Sequence, residues 1–223
     1  SMKYLGETLD IHTGGVDNMF PHHENEIAQS EAATGKEFVN YWLHCEHLLV
    51  EGKRMGKRFG NYYTLRDLIK MGYDPMAVRY LLLSTHYRQQ FNFTFEGLNA
   101  AKNAIDRLKN AIRRLADPDE GSSAGETKQL IDRVQKGFCE AMDDDLNIGS
   151  ALAAFFEFVR EVNNLIDASK LSKDEAREIH DLMVGFDKVL GVVGDVKEEE
   201  KLPKEAKELI LRREEARKAK DWK

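Results

Sequence analysis

The sequence predicts an α/β piece followed by an α-helical bundle, the whole predominantly α-helical. Three observations predict it. Most of the seven histidines, a Gly-Gly pair and a Gly-Lys-rich loop gather before about residue 62. After about residue 94 the chain turns into long amphipathic patterns with few glycines. Between these patterns lies a stretch whose Asp-Pro-Asp-Glu-Gly-Ser-Ser-Ala-Gly composition marks a linker over 116–127.

In chain order, Thr8-Leu9-Asp10-Ile11-His12 alternates apolar and polar residues and ends at Thr13-Gly14-Gly15, a strand running into a loop. Pro21 suits the first turn of a helix that continues through Ala28 and Ala33 to Gly35. Val39 to Val50 is rich in branched and aromatic residues, which predicts extended structure leading into a turn at Glu51-Gly52. Thr64-Leu65-Arg66-Asp67 has capping-box form, and Asp74-Pro75 pairs an N-cap with a first-turn proline, opening a helix from Met76 to Ser84. Leu98, Ala101, Ile105, Leu108, Ile112 and Leu115 recur by threes and fours, the period of a buried helical stripe. Further helices are predicted over 128–142, over 148–168 with Leu152, Phe155, Val159 and Val162 facing inward, and over 173–190 behind a capping box at Ser172 and Glu175. The Lys- and Glu-rich stretch from Glu205 to Trp222 predicts an exposed or partner-seeking helix.

Composition narrows the function classes. Of the 223 residues, 42% are hydrophobic and 32% charged with both signs present, enough apolar material for a core and too much for wholesale disorder. No apolar run approaches the roughly 18 residues of a membrane span, so no membrane association is expected. Two cysteines, Cys45 and Cys139, cannot make a disulfide framework and point to a reducing, cytoplasmic setting. The net charge of −6 leaves RNA open as a partner, because binding needs only a local basic face.

The densest chemistry is Phe20-Pro21-His22-His23-Glu24-Asn25-Glu26. On a helix His22 and Glu26 share a face, and an imidazole beside a carboxylate is a plausible pair of zinc ligands, whereas His23 has Ile27 at its own fourth position. Two ligands fall short of the three or four a zinc site uses, and a polar helix start with acids near its positive end remains the alternative. Gly52 to Asn61 holds Lys53, Arg54, Lys57 and Arg58, a mobile cationic loop able to neutralise a polyphosphate; standing alone it also reads as a solvated turn, and it lacks the Walker pattern. The strand end Asp10 to Asp17 offers His12 and Asp17 beside two glycines that let a ligand approach the backbone. The run Asp143-Asp144-Asp145 reads better as a solvated helix start than as a metal cluster, and Arg212 to Lys220 as a helix laced with ion pairs before an RNA-facing strip.

Together these segments resemble the C-terminal part of the cysteinyl-tRNA synthetases, class I enzymes. The resemblance rests on Asp-Ile-His-x-Gly-Gly-x-Asp from Asp10, Phe-Pro-His-His-Glu-Asn-Glu-Ile-Ala-Gln-Ser from Phe20, and Tyr-Trp-Leu-His from Tyr41. It continues through the basic loop, His86-Tyr87-Arg88, Asn92-Phe93-Thr94, Met142 to Asn147, and Ala216 to Trp222. It implies ATP-dependent activation of L-cysteine and transfer to tRNA(Cys), with ATP used together with magnesium. It implies a zinc ion that binds the substrate thiolate, with His22 and Glu26 as two of its four ligands and two cysteines upstream of Ser1 as the others. It further implies His12 and Trp42 as substrate-binding residues, and Asp17, Arg54 and Lys57 as ATP-binding residues with Lys57 the catalytic one. The signature loop of the class stands here as Arg54-Met55-Gly56-Lys57-Arg58, having exchanged its first lysine for arginine and both serines for glycine and arginine.

The expected organisation is the closing part of a catalytic domain over 1–62, a stem-contact connection over 63–94, a tRNA-binding helical bundle over 95–196, and the start of an anticodon-side tail helix over 197–223. The other class signature, His-Ile-Gly-His, has no counterpart here, so the chain is expected to be part of a monomeric parent enzyme and inert alone. Two alternatives stand beside this: a ligase joining cysteine to an amino-sugar, and a non-catalytic tRNA-binding module.

Overall fold

The computed structural model describes residues 2–116, 121–122, 125 and 127–194. The expected tail helix, with Arg212 to Lys220, lies outside the described residues, as does part of the 116–127 linker. After a short helix α1 (Met2–Leu5), strand β1 (Leu9–Gly15), helix α2 (Glu24–Thr34) and strand β2 (Val39–Cys45) form a βαβ unit whose two strands pair in parallel. The register sets Leu9 beside Val39, Ile11 beside Tyr41, His12 beside Trp42 and Gly14 beside His44. Side chains alternate across a strand, so His12 and Gly14 share a face with Trp42 and His44, while Ile11 and Tyr41 look the other way and are exposed. The unit's core is small: Leu9, Phe38 and Val39, backed by Ile27 and Trp42.

A second sheet follows, built from β3 (Leu49–Val50), β4 (Lys53–Arg54) and β5 (Asn92–Phe93) in the order β4-β3-β5. Glu51 and Gly52, the expected turn, both take positive φ, 50° and 73°, the geometry of a two-residue hairpin loop whose twist matches its strands. Helices α3 (Leu65–Lys70) and α4 (Pro75–Leu83) begin as the sequence indicates. Thr64 and Asp67 cap each other reciprocally, and the Asp74 carboxylate accepts from the Met76 amide with Pro75 at the first helical position.

The bundle is α5 (Phe95–Ala116), α6 (Thr127–Asp143), α7 (Ile148–Asp167) and α8 (Lys173–Leu190). All six stripe residues of α5 and all four named residues of α7 are buried. They join one continuous core that also takes in Val50, Leu68, Val78 and Phe93, so the second sheet and α3–α4 pack onto the bundle. The Ser172–Glu175 capping box is present at the start of α8. The aspartate run differs from expectation: Asp143 ends α6, Asp145 and Leu146 turn the chain at φ 52° and 57°, and Asn147 caps α7 by accepting from the Ser150 amide. Two successive left-handed residues cannot continue a helix, so the run is a corner rather than a helix start.

Candidate functional site: a histidine–carboxylate cluster

Pro21 does not open α2. Phe20 is extended (φ −135°, ψ 131°), the Phe20–Pro21 bond is cis, and regular α-helix begins at Glu24 after an irregular turn over Met19–His23. His23 is nonetheless helical (φ −67°, ψ −34°), and Glu26 stands one turn above His22. His22 Nε2 comes to 3.7 Å from Glu26 Oε1, so the shared face read from the four-residue spacing is present.

Glu26 is the hub of a larger group. His12 Nε2 lies 2.8 Å from Glu26 Oε2, and His23 Nε2 lies 4.0 Å from the same oxygen. One carboxylate is therefore ringed by three imidazoles, from β1 and from both histidines before α2. His12, His23 and Glu26 offer ligand atoms that all lie within 4.8 Å of one another. The hydrogen bond from His12 holds the Glu26 carboxyl below the usual carboxylate range, with the neighbouring imidazoles acting in the same sense. His23 is the buried member, 4% exposed; burial and the adjoining rings of His12 and His44 push its pKa down and favour the neutral ring.

The sheet supplies the rest. His23 Nδ1 and His44 Nε2 are 2.8 Å apart, one ring donating and the other accepting. Trp42 stands 4.9 Å from both His12 and His23 between ring centres and stacks on His44 at 5.8 Å with nearly parallel planes. Gly14 makes this packing possible: a Cβ there would lie 2.6 Å from His23 Cε1 and 3.2 Å from the Asn18 amide nitrogen. Likewise a Cβ on Gly15 would clash with the Asp17 carboxylate. The Gly-Gly pair is thus required by side chains folding back onto the strand end.

Of the residues singled out from sequence, His12, Trp42, His22 and Glu26 come together, and Asp17 sits at the adjoining turn. Arg54 and Lys57 lie on the β3–β4 hairpin and the turn after it. No hydrogen bond, ion pair or ring contact among the described residues joins them to the cluster. Their loop is stapled by the Asn61 side chain, whose Oδ1 accepts from the Gly56 amide at 3.0 Å and whose Nδ2 donates to the Arg54 backbone carbonyl at 3.1 Å. The Lys57 ammonium lies over the Tyr62 ring at 5.5 Å.

Two sets of functional-looking residues escape the sequence reading. His23, which helical spacing set aside as a ligand, and its partner His44 are one; their signal would have been the pairing of β1 with β2. The other is the corner residue Asp145. It accepts from the Tyr87 hydroxyl at 2.6 Å, pairs with Arg88 Nε at 2.7 Å, and meets His86 Nε2 through its backbone carbonyl at 2.8 Å.

His12, His23 and Glu26 are thus a three-donor group close enough to share one metal ion, and His22, 3.7 Å from the other Glu26 oxygen, stands outside that group.

Compared with known proteins, residues 1–103 match the family of tRNA synthetases class I (C) catalytic domains, and residues 137–194 match the DALR domain family. A cysteine–tRNA ligase of Protochlamydia amoebophila is 51% identical over 222 residues, covering all of this chain and 46% of the relative. One from Chlamydia muridarum is 47% identical over 233 residues, covering all of the chain and 49% of the relative. The chain thus spans about half the length of the relatives it matches. Among solved structures, the leucyl enzyme of Agrobacterium radiobacter K84 in a ternary complex with tRNA superposes with a TM-score of 0.60 at 16% identity, over 83% of this chain and 28% of that one. Methionyl-tRNA synthetase of Mycobacterium tuberculosis gives 0.57 at 17% identity, over 83% and 40%. At those identities the likeness is one of fold.

Proposed function

We propose, from the match of residues 1–103 to the tRNA synthetases class I (C) catalytic domain family and of residues 137–194 to the DALR domain family, that the chain is part of an ATP-dependent ligase that activates L-cysteine and transfers it to tRNA(Cys). What carries this reading is a ring of three imidazoles around Glu26, in a chain 51% identical to a cysteine–tRNA ligase.

In this reading residues 1–62 close the catalytic domain, 63–94 form the stem-contact connection, and 95–196 are the tRNA-binding bundle. His22 and Glu26 hold zinc, which when bound accepts the substrate thiolate and so distinguishes cysteine from serine, a separation no apolar pocket achieves. His12 orients Glu26 by its 2.8 Å hydrogen bond and, with Trp42, walls the amino-acid pocket. Asp17, at the turn after β1, contacts the nucleotide, and Arg54 and Lys57 neutralise charge on the ATP phosphates, which enter with magnesium. The cysteine carboxylate attacks the α-phosphorus, a C–O–P linkage forms, and pyrophosphate leaves with the electron pair of the broken P–O bond. The tRNA terminal hydroxyl then displaces AMP. Lys57 neutralises charge that develops during the first step. A cytoplasmic location, supported by the exposed free thiols of Cys45 and Cys139, and a monomeric state complete the reading.

The test uses the full-length protein that carries this chain. Lys57→Ala is expected to lower ATP–pyrophosphate exchange by about 100- to 1,000-fold, the usual scale for a lost charge-stabilising donor, with the fold intact. An unchanged exchange rate removes Lys57 from the reaction. Amidation of an amino-sugar in place of cysteinylation of tRNA overturns the acceptor.

A further inference from the structure

Outside the histidine cluster, the described residues hold a strongly basic concavity. It lies between α5 and α7, has a volume of about 660 Å³, and is lined by Arg107, Arg113, Arg114 and Arg160 together with Asn110 and Asn163. No carboxylate lines it, in a chain whose net charge is −6. The clustering follows from helical spacing. Arg107, Asn110 and Arg114 stand three and seven positions apart on α5, while Phe156, Arg160 and Asn163 stand four and seven apart on α7, so each set shares a face.

Two of the guanidinium groups, those of Arg107 and Arg114, are held in place. Arg107 lies over the Phe156 ring at 5.2 Å and makes no ion pair among the described residues. Arg114 donates to the Asn163 side-chain oxygen at 2.8 Å and pairs with Asp167 at one end of the cleft. Arg160 is 71% exposed and only loosely paired with Glu157 at 3.4 Å. Preorganised guanidinium forks interleaved with asparagine amides match phosphate oxygens and sugar hydroxyls. From Arg107 to Arg114 the α5 axis advances about 10 Å, more than one phosphate occupies and suited to a run of them.

We propose that the α5–α7 cleft holds a stretch of tRNA phosphodiester backbone, an interaction that rests on the tRNA reading above and gives it a specific surface on the bundle. Filter binding of an unmodified tRNA transcript to the 223-residue chain over a salt series tests it. Replacing Arg107→Gln with Arg160→Gln is expected to weaken binding at 0.1 M salt at least about ten-fold and to make the slope of log affinity against log salt shallower by about 1 to 2, the effect of one or two lost phosphate contacts. Arg160→Gln alone is expected to show a smaller loss in the same direction, and serves should loss of the Arg107–Phe156 contact disturb the fold. Lys136→Gln with Lys188→Gln removes the same charge elsewhere on the bundle and is expected to leave affinity within two-fold. Wild-type binding with both cleft variants unchanged refutes the cleft and leaves the tRNA reading standing. An equal loss in the lysine control also refutes it. Absence of any salt-dependent binding by the wild type overturns both.

Discussion

The βαβ unit and the helical bundle are built on opposite terms. The bundle buries a continuous apolar core in which Leu98, Leu108, Phe155, Ile179 and Met183 are almost wholly removed from water. The βαβ unit buries Leu9, Phe38 and Val39, and beside them a histidine. Its interior is organised by the Glu26 carboxylate, by imidazole–imidazole contacts and by a glycine thin enough for His23 to lie against. Stability therefore resides in the bundle, through area removed from water, while geometry resides in the βαβ unit, through hydrogen bonds and close approach. A substitution should move one quantity or the other according to where it falls.

The largest effect is expected at Phe155. It is 1% exposed and meets Phe186 edge-on at 5.2 Å between ring centres. Phe155→Ala should cost about 3–5 kcal/mol through lost transfer energy and the cavity left behind. Urea unfolding followed by far-ultraviolet circular dichroism measures it, and a loss below about 1 kcal/mol would show that the bundle repacks and is not the stable half. Zinc affinity, measured where the variant is still folded, should be unchanged.

Gly14→Ala should give the reverse pattern. The added methyl must displace the His23 ring, which stands where a Cβ would come within 2.6 Å. That ring is tied to His44 and approaches Glu26, so its movement disturbs the group that the zinc reading requires. A zinc titration against a chromophoric chelator should show a loss of about 10- to 100-fold, the usual consequence of disturbing a ligand's supporting shell. The urea midpoint of the bundle should stay where it is. Unchanged zinc affinity would mean that His23 neither ligates nor supports the site.

The same contrast explains what can be read from the sequence. The α5 stripe, the two capping boxes, the Asp74-Pro75 helix start and the Glu51-Gly52 turn are local devices, each satisfied within a few residues, and each stands where the sequence puts it. The His22–Glu26 face is local too and is legible from spacing. His23 is different. Its fourth-position neighbour is Ile27, yet its ring is turned toward His44, 21 positions away, because β1 and β2 pair in parallel and bring their Gly14 and His44 side by side. Helical spacing contains no information about that register. The irregular turn over Met19–His23 is similarly hidden, since a proline just ahead of a helical run looks like an ordinary first-turn proline. The aspartate run escapes for a third reason: polar residues in a row suit a solvated helix end and a sharp corner equally well, and only the left-handed backbone at Asp145 and Leu146 decides between them.

That corner offers the smallest and most selective test, because it joins the segment after α4 to the turn between α6 and α7. Asp145 is exposed, so its pairing with Arg88 contributes little, as surface ion pairs do. Its carboxyl is nevertheless held below the usual carboxylate range, chiefly by the Tyr87 hydroxyl that donates to it and further by Arg88. A carboxyl whose pKa is lower folded than unfolded contributes stability that is fully present above its unfolded value, about 3.9, and that disappears as pH falls through the folded value. Asp145→Asn keeps an acceptor for Tyr87 but removes the charge. The gap between wild-type and variant urea midpoints should hold steady from pH 7 to about pH 5 and close as the pH drops below about 4. A gap that persists undiminished at pH 3 would show that the corner is held by shape alone, and would move it into the same class as the apolar bundle it adjoins.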